Sequence, residues 1–95
     1  MNRRDHVGPV LEASETASAV VKAIRSLNAN TVVEDQGSYL RILAPLRCVV
    51  TKQAIEKILG RPFQLPGDLE RLMPSFKGTL QVSEEEAVWS FKATT

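Results

Sequence analysis

Apolar positions follow two rhythms along this chain of 95 residues. Ala17, Val20, Val21, Ile24 and Leu27 fall three and four apart, the spacing of one helical face, while Lys22, Arg25 and Ser26 fall mostly on the other. Ser14 stands where an N-cap would accept the first free amides, and Asn28 and Asn30 suit a stop because asparagine tolerates left-handed backbone. A second helix is predicted after Thr51, with Ala54, Ile55, Ile58 and Leu59 directed inward and Gly60 just past its end. Pro62 pushes Arg61 into extended geometry, so Gly60-Arg61-Pro62 reverses the chain and leaves Phe63 free to enter the core. A short third helix opens at Pro66-Gly67-Asp68, carries Leu69, Leu72 and Met73 on one side, and closes at Pro74.

The second rhythm is alternation. Val7-Gly8-Pro9-Val10-Leu11 reads as a first strand, placed at a sheet edge because Pro9 has no ladder donor. Thr31–Glu34 and Tyr39–Leu43 flank Asp35-Gln36-Gly37-Ser38, a hairpin whose reversal Gly37 permits through a positive φ. Pro45 breaks the second of these strands, and Leu46–Val50 is a further extended piece after a kink. In the last hairpin, Phe76–Val82 sets Leu80 and Val82 on one face, Ser83-Glu84-Glu85-Glu86 turns, and Ala87, Trp89 and Phe91 alternate on the return. The order β-α-β-β-β-α-α-β-β predicts a single α+β domain of mainly antiparallel sheets with three helices packed on them. Residues 1–6 are polar and expected to be a flexible N-terminus, with the domain over 7–95.

Composition narrows the function classes. Twelve basic and eleven acidic residues give a net charge of +1, and the basic ones are scattered, so no nucleic-acid partner is expected. One cysteine, Cys48, rules out an internal disulfide and a cysteine-held cluster; it lies in an apolar strand and reads as core. No apolar stretch has membrane-spanning length, and none of the kind a secretory leader carries follows Met1-Asn2-Arg3-Arg4, so a cytoplasmic protein is expected.

The chemical inventory is nearly empty. His6 is the sole histidine and lies in the mobile-looking start, so a two-histidine metal site is impossible within one chain. Glu84, Glu85 and Glu86 lack the spaced ligands and glycine turn of a calcium loop and read as a solvated turn. Glu56 and Glu70, with basic neighbours Lys52 and Arg71, read as exposed ion pairs without functional meaning. Trp89 and Phe91 share a strand face with Ala87, which suits a core better than a base-stacking platform. No phosphate loop is present. No catalytic, cofactor-binding or metal-binding residue is assigned, and a binding or regulatory module is expected in preference to an enzyme.

Two motifs go further: Leu59-Gly60-Arg61-Pro62-Phe63 after a helix, then Pro74-Ser75-Phe76-Lys77-Gly78 leading into a strand. With Val7-Gly8-Pro9 and Val33-Glu34-Asp35 before Tyr39-Leu40-Arg41-Ile42, they resemble the effector (coupling) proteins of bacterial multicomponent diiron monooxygenases, most closely the toluene branch. The resemblance runs from about Asp5 to Lys92. It implies a cofactor-free subunit, monomeric when free, that binds the diiron hydroxylase and couples electron transfer and O2 activation to hydroxylation. It further implies that Leu72, Met73, Pro74, Ser75, Phe76, Lys77 and Gly78 contact the hydroxylase, with Gly60, Arg61, Pro62 and Phe63 as the scaffold turn presenting them. For Met73 and Phe76 core packing is an equal alternative. Leu72, Met73 and Pro74 depart from the small or amide residues common there. The hydrocarbon stays open among toluene, xylene, phenol, benzene, isoprene and other alkenes. The rival reading is a small-ligand sensor or an assembly factor with no direct part in turnover.

Overall fold

The computed structural model describes residues 4–92. Its elements are β1 (His6–Glu12), α1 (Glu15–Leu27), β2 (Val32–Asp35), β3 (Tyr39–Pro45), β4 (Arg47–Thr51), α2 (Lys52–Leu59), α3 (Gly67–Leu72), β5 (Ser75–Lys77), β6 (Thr79–Val82) and β7 (Glu86–Ser90). Every strand pairing is antiparallel, so the α+β class with three helices stands. Of the N-terminal segment expected to be flexible, residues 1–3 lie outside the described residues, as do residues 93–95. Arg4 and Asp5 form a turn and His6 already opens β1.

The strands form two sheets, β2-β3-β1-β5 and β4-β7-β6. The chain crosses from the first to the second at two points. At Leu46, between β3 and β4, φ is +68; at Gly78, between β5 and β6, φ is +108. The stretch 76–82, read from its alternation as one strand, is therefore two strands in two sheets, because a positive φ at Gly78 turns the pleat. A leucine in left-handed backbone costs about 1–2 kcal/mol. Two backbone hydrogen bonds hold Leu46 there: its N–H donates to the Asp5 carbonyl at 2.9 Å, and its carbonyl accepts from the Phe91 N–H at 2.8 Å.

Pro9 lies in an interior strand, not at an edge, because β1 runs between β3 and β5. The ladder to β3 tolerates it by skipping two residues. Val7 pairs with Ala44 and Val10 with Arg41, while Gly8 and Pro9 have no partner on β3. At Gly8 a Cβ would overlap the Ile42 carbonyl oxygen, so the two backbones approach closely only because the residue has no side chain.

The helix signals are realised locally. The Ser14 hydroxyl accepts the Ala17 N–H at 3.0 Å, the Thr51 hydroxyl accepts the Ala54 N–H at 3.1 Å, and Gly60 ends α2 at φ +78. Ala17, Val20 and Ile24 face the core, but Leu27 and Ile58, both expected inside, are exposed at the helix ends. Asn30 adopts φ +60, whereas Asn28 stops α1 differently. Its backbone is extended and its amide bridges two elements. Nδ2 donates to the carbonyls of Ile24 and Val49, each at 2.7 Å, and Oδ1 accepts the Val49 N–H at 3.0 Å. One side chain thus caps the helix and satisfies the central residue of β4, an edge strand.

A single core draws on both sheets and all three helices: Val7, Leu11 and Ile42; Cys48, Val50 and Trp89; Val20, Ile24, Ile55 and Leu69. Trp89 is 0% exposed, and its indole N–H has no hydrogen-bond acceptor among the described residues. The area an aromatic ring of this size buries outweighs the roughly 1–3 kcal/mol such a donor costs.

The glycine geometry sets a paired expectation. Gly8→Ala should destabilise the domain by about 3 kcal/mol or more, since backbone must move. Gly37→Ala, at φ +83 with nothing within 4 Å, should cost only about 1–2 kcal/mol of conformational strain. Urea unfolding of both variants checks the order; equal losses would show that the Ile42 contact is not what fixes Gly8.

Candidate partner-binding face

The expected contact segment does not form a free loop. Leu72 ends α3 and Met73 follows as its C-cap; both are half-buried and pack against the core. Pro74 is exposed, and Ser75, Phe76 and Lys77 form β5, laid along β1 with Ser75 opposite Val10, Phe76 opposite Pro9 and Lys77 opposite Gly8. Gly78 is the crossing point described above. Its packing is tight, with a Cβ meeting the Val7 side chain at 2.8 Å and the Ser90 carbonyl oxygen at 2.9 Å. The two alternatives for Met73 and Phe76 thus separate: Met73 packs inward, while Phe76 is 44% exposed.

Pro74, Ser75, Phe76 and Lys77 form one wall of an open groove of about 480 Å³. The other wall comes from far away in sequence: Gly8 and Val10 of β1, Gln36 of the hairpin turn, and Tyr39 and Arg41 of β3. The register brings them together, because Glu34, Arg41, Val10 and Ser75 form one row across four strands. Tyr39 is 42% exposed, so two half-exposed aromatic residues line one groove, although Phe76, opposite Pro9, alternates with Ser75 and Lys77 along β5. Arg41 and Lys77 are its charged lining residues, with no carboxylate among the lining. Arg41 Nη1 lies 3.8 Å from Glu34 Oε1, a long exposed pair of about 0–1 kcal/mol. Open volume, exposed aromatics and an arginine are features of a contact surface. Alternation along Tyr39–Leu43 already sets Tyr39 and Arg41 apart from Leu40 and Ile42, but only the pairing brings Arg41 into one row with Ser75.

The turn 60–63 sits elsewhere and is held by carboxylates. Gly60 N–H donates to the Glu56 carbonyl at 2.8 Å, and Glu56 Oε2 accepts the Phe63 N–H at 2.8 Å. Glu56, read from sequence as half of an exposed ion pair, instead ties the reversal to the helix before it. Asp68 repeats the device: Oδ2 accepts the Gln64 N–H at 2.8 Å and Oδ1 accepts from Arg71 at 3.0 Å. Arg61 reaches back to the Thr16 hydroxyl at 3.0 Å. Phe63 is buried and the Leu65–Pro66 peptide is cis. Gly60, Arg61, Pro62 and Phe63 therefore stand apart from the groove. Arg61, Pro62 and Phe63 border a smaller depression of about 260 Å³ that Leu72 also lines. Their link to the groove is α3, whose buried Leu69 fixes where Met73 and Pro74 emerge.

His6, expected in a mobile start, opens β1 opposite Pro45, its ring mostly covered and its Nδ1 3.0 Å from Asp5 Oδ1. Among the described residues no group of three or more His, Cys, Asp or Glu side chains is placed to hold a metal ion. Cys48 is buried, and desolvation pushes its thiol up to about 12. No helix among the described residues is long and apolar enough to cross a membrane.

Comparison with known proteins gives one consistent result. The family model described as MmoB/DmpM matches residues 5–90. The effector subunit of the alkene monooxygenase system of Xanthobacter autotrophicus (strain ATCC BAA-1158 / Py2) is 38% identical over 89 residues, spanning 92% of this chain and 87% of that protein. A chain in the structure of the phenol hydroxylase–regulatory protein complex shares the fold, with a TM-score of 0.80 and 17% identity over 92% of this chain and 98% of that one.

Two outcomes follow from the groups just placed. Glu56→Ala should cost about 1.5–3 kcal/mol by orphaning the Phe63 N–H, and Glu56→Gln, which keeps an acceptor, clearly less; urea midpoints decide. Burial raises the Cys48 thiol from 9.0 to about 12, so the unfolded chain ionises first. Its contribution is fully present below about pH 9 and is lost as pH rises toward 12. Wild type should therefore lose more stability than Cys48→Ala over that interval, and native-state alkylation should track global unfolding.

Proposed function

The chain belongs to the MmoB/DmpM family, and from that premise we propose that it is a non-catalytic effector subunit of a multicomponent monooxygenase. It binds the diiron hydroxylase and couples electron transfer and O2 activation to hydroxylation of substrate. The observation that carries this reading is the 38% identity, over nearly the whole chain, to an alkene monooxygenase effector subunit.

An effector of this kind changes turnover without supplying a reacting group. It must bind one state of the hydroxylase more tightly than another, and it shifts the balance only by that difference. The groove face is our candidate for the contact. Phe76 and Tyr39 supply rigid apolar area at little entropic cost, and Arg41 and Lys77 supply cationic donors to a facing surface. Pro74, Ser75 and Gly78 shape the backbone around Phe76, while Leu72 and Met73 act mainly by holding the segment to the core. The turn at Gly60, Arg61, Pro62 and Phe63 sets where that segment leaves α3. We assign the hydrocarbon at class level, a toluene-type aromatic or an alkene, and place the complex in the cytoplasm.

Titration into the cognate hydroxylase with its electron-transfer partners tests this directly. Product per NADH should rise and saturate at one effector per active site. Phe76→Ala should weaken hydroxylase binding about tenfold or more with an unchanged melting temperature. A flat yield at every ratio, with folded protein, would sink the effector reading in favour of a ligand sensor, whose sign is a melting-temperature rise with small ligand alone.

A further inference from the structure

Among the described residues, Leu46 is the most exposed of the large hydrophobic ones, at 57%. It is also held at φ +68, in backbone that suits glycine or asparagine. Neither property helps the fold. The side chain is absent both from the buried core and from the partly buried side chains packed against it. The two hydrogen bonds that fix the residue, to Asp5 and from Phe91, use its backbone only, so any amino acid with an N–H would make them. A strained, solvent-facing leucine at a position where glycine would relieve the strain points to a requirement outside the chain.

Its surroundings indicate which partner. Arg47, the next residue, pairs with Ser90, and Ser90 pairs with Thr79, which follows Gly78. Leu46 therefore lies about 10 Å, two strand spacings, from Gly78, the residue that follows the groove wall Pro74–Lys77. We propose that Leu46 is a second apolar anchor for the hydroxylase subunit, set at the seam between the sheets and continuous with the groove face. The proposal rests on the effector reading above and extends it. The contact surface spans both sheets, and the crossing point is strained because the partner, not the fold, uses the leucine.

The test uses the full chain with its cognate hydroxylase, comparing wild type with Leu46→Gly, Leu46→Asn and Phe76→Ala. Glycine relieves the strain, and asparagine keeps left-handed backbone while removing the apolar group. Both Leu46 variants should unfold at a urea concentration equal to or above that of wild type. Both should bind the hydroxylase about tenfold more weakly, as expected for loss of a buried apolar anchor. If Leu46→Gly binds like wild type while Phe76→Ala binds weakly, the anchor is disproved and the effector reading stands. A fall in the unfolding midpoint of Leu46→Gly would disprove the strain and, with it, the proposal. If wild type itself shows no affinity for the hydroxylase, both readings fall together.

Discussion

At Gly78 an added Cβ would meet the Val7 side chain at 2.8 Å and the Ser90 carbonyl at 2.9 Å, so the two sheets approach this closely only because the residue between them has no side chain. Gly8 does the same between β1 and β3, where the Ile42 carbonyl takes the space of a side chain. These close approaches decide the architecture. They let one chain leave the first sheet and enter the second without a long connection, and they bring Val7, Trp89 and Ile42 into one core. The groove inherits its shape from the same constraint. Its walls, β5 on one side and β3 on the other, are held apart by the single strand β1 between them.

A chain of this length has room for one core and little else, and the distribution of polar groups reflects that. Among the described residues no polar or charged residue is classed as buried. Carboxylates act at the surface as backbone acceptors, Glu56 for Phe63 and Asp68 for Gln64, where they hold a reversal instead of reacting. The proposed effector role asks for no reacting group, only a preference for one conformation of the hydroxylase.

Much of the fold was legible locally. Ser14, Thr51 and Gly60 marked helix ends, Gly37 marked a hairpin, and alternation set Trp89 and Ala87 inward. What failed was non-local. Alternation through Phe76–Val82 is unbroken in sequence, yet Gly78 divides it between sheets because each half finds a different partner strand. Pro9 suggested an edge, but the ladder skips it and β5 covers the other side. Glu56 read as half of an exposed ion pair and Asn28 as a helix stop alone, since the amide that Glu56 accepts lies 7 residues away and the strand residue that Asn28 bridges lies 21 away. The candidate contact segment was visible as a motif. Its opposite wall, Tyr39 and Arg41, depended on register across β1, which no single stretch of sequence encodes.

The amide of Asn28 has a consequence beyond ending a helix. It occupies both the donor and the acceptor of Val49, the middle residue of an edge strand. Those are the groups an incoming strand from another molecule would have to engage to extend the sheet. Self-association at that edge must first displace the Asn28 amide from both groups of Val49, while the Asn28 backbone N–H keeps its bond to the Ile24 carbonyl. One polar side chain, held in place at the end of α1, thereby shields the middle of an open sheet edge.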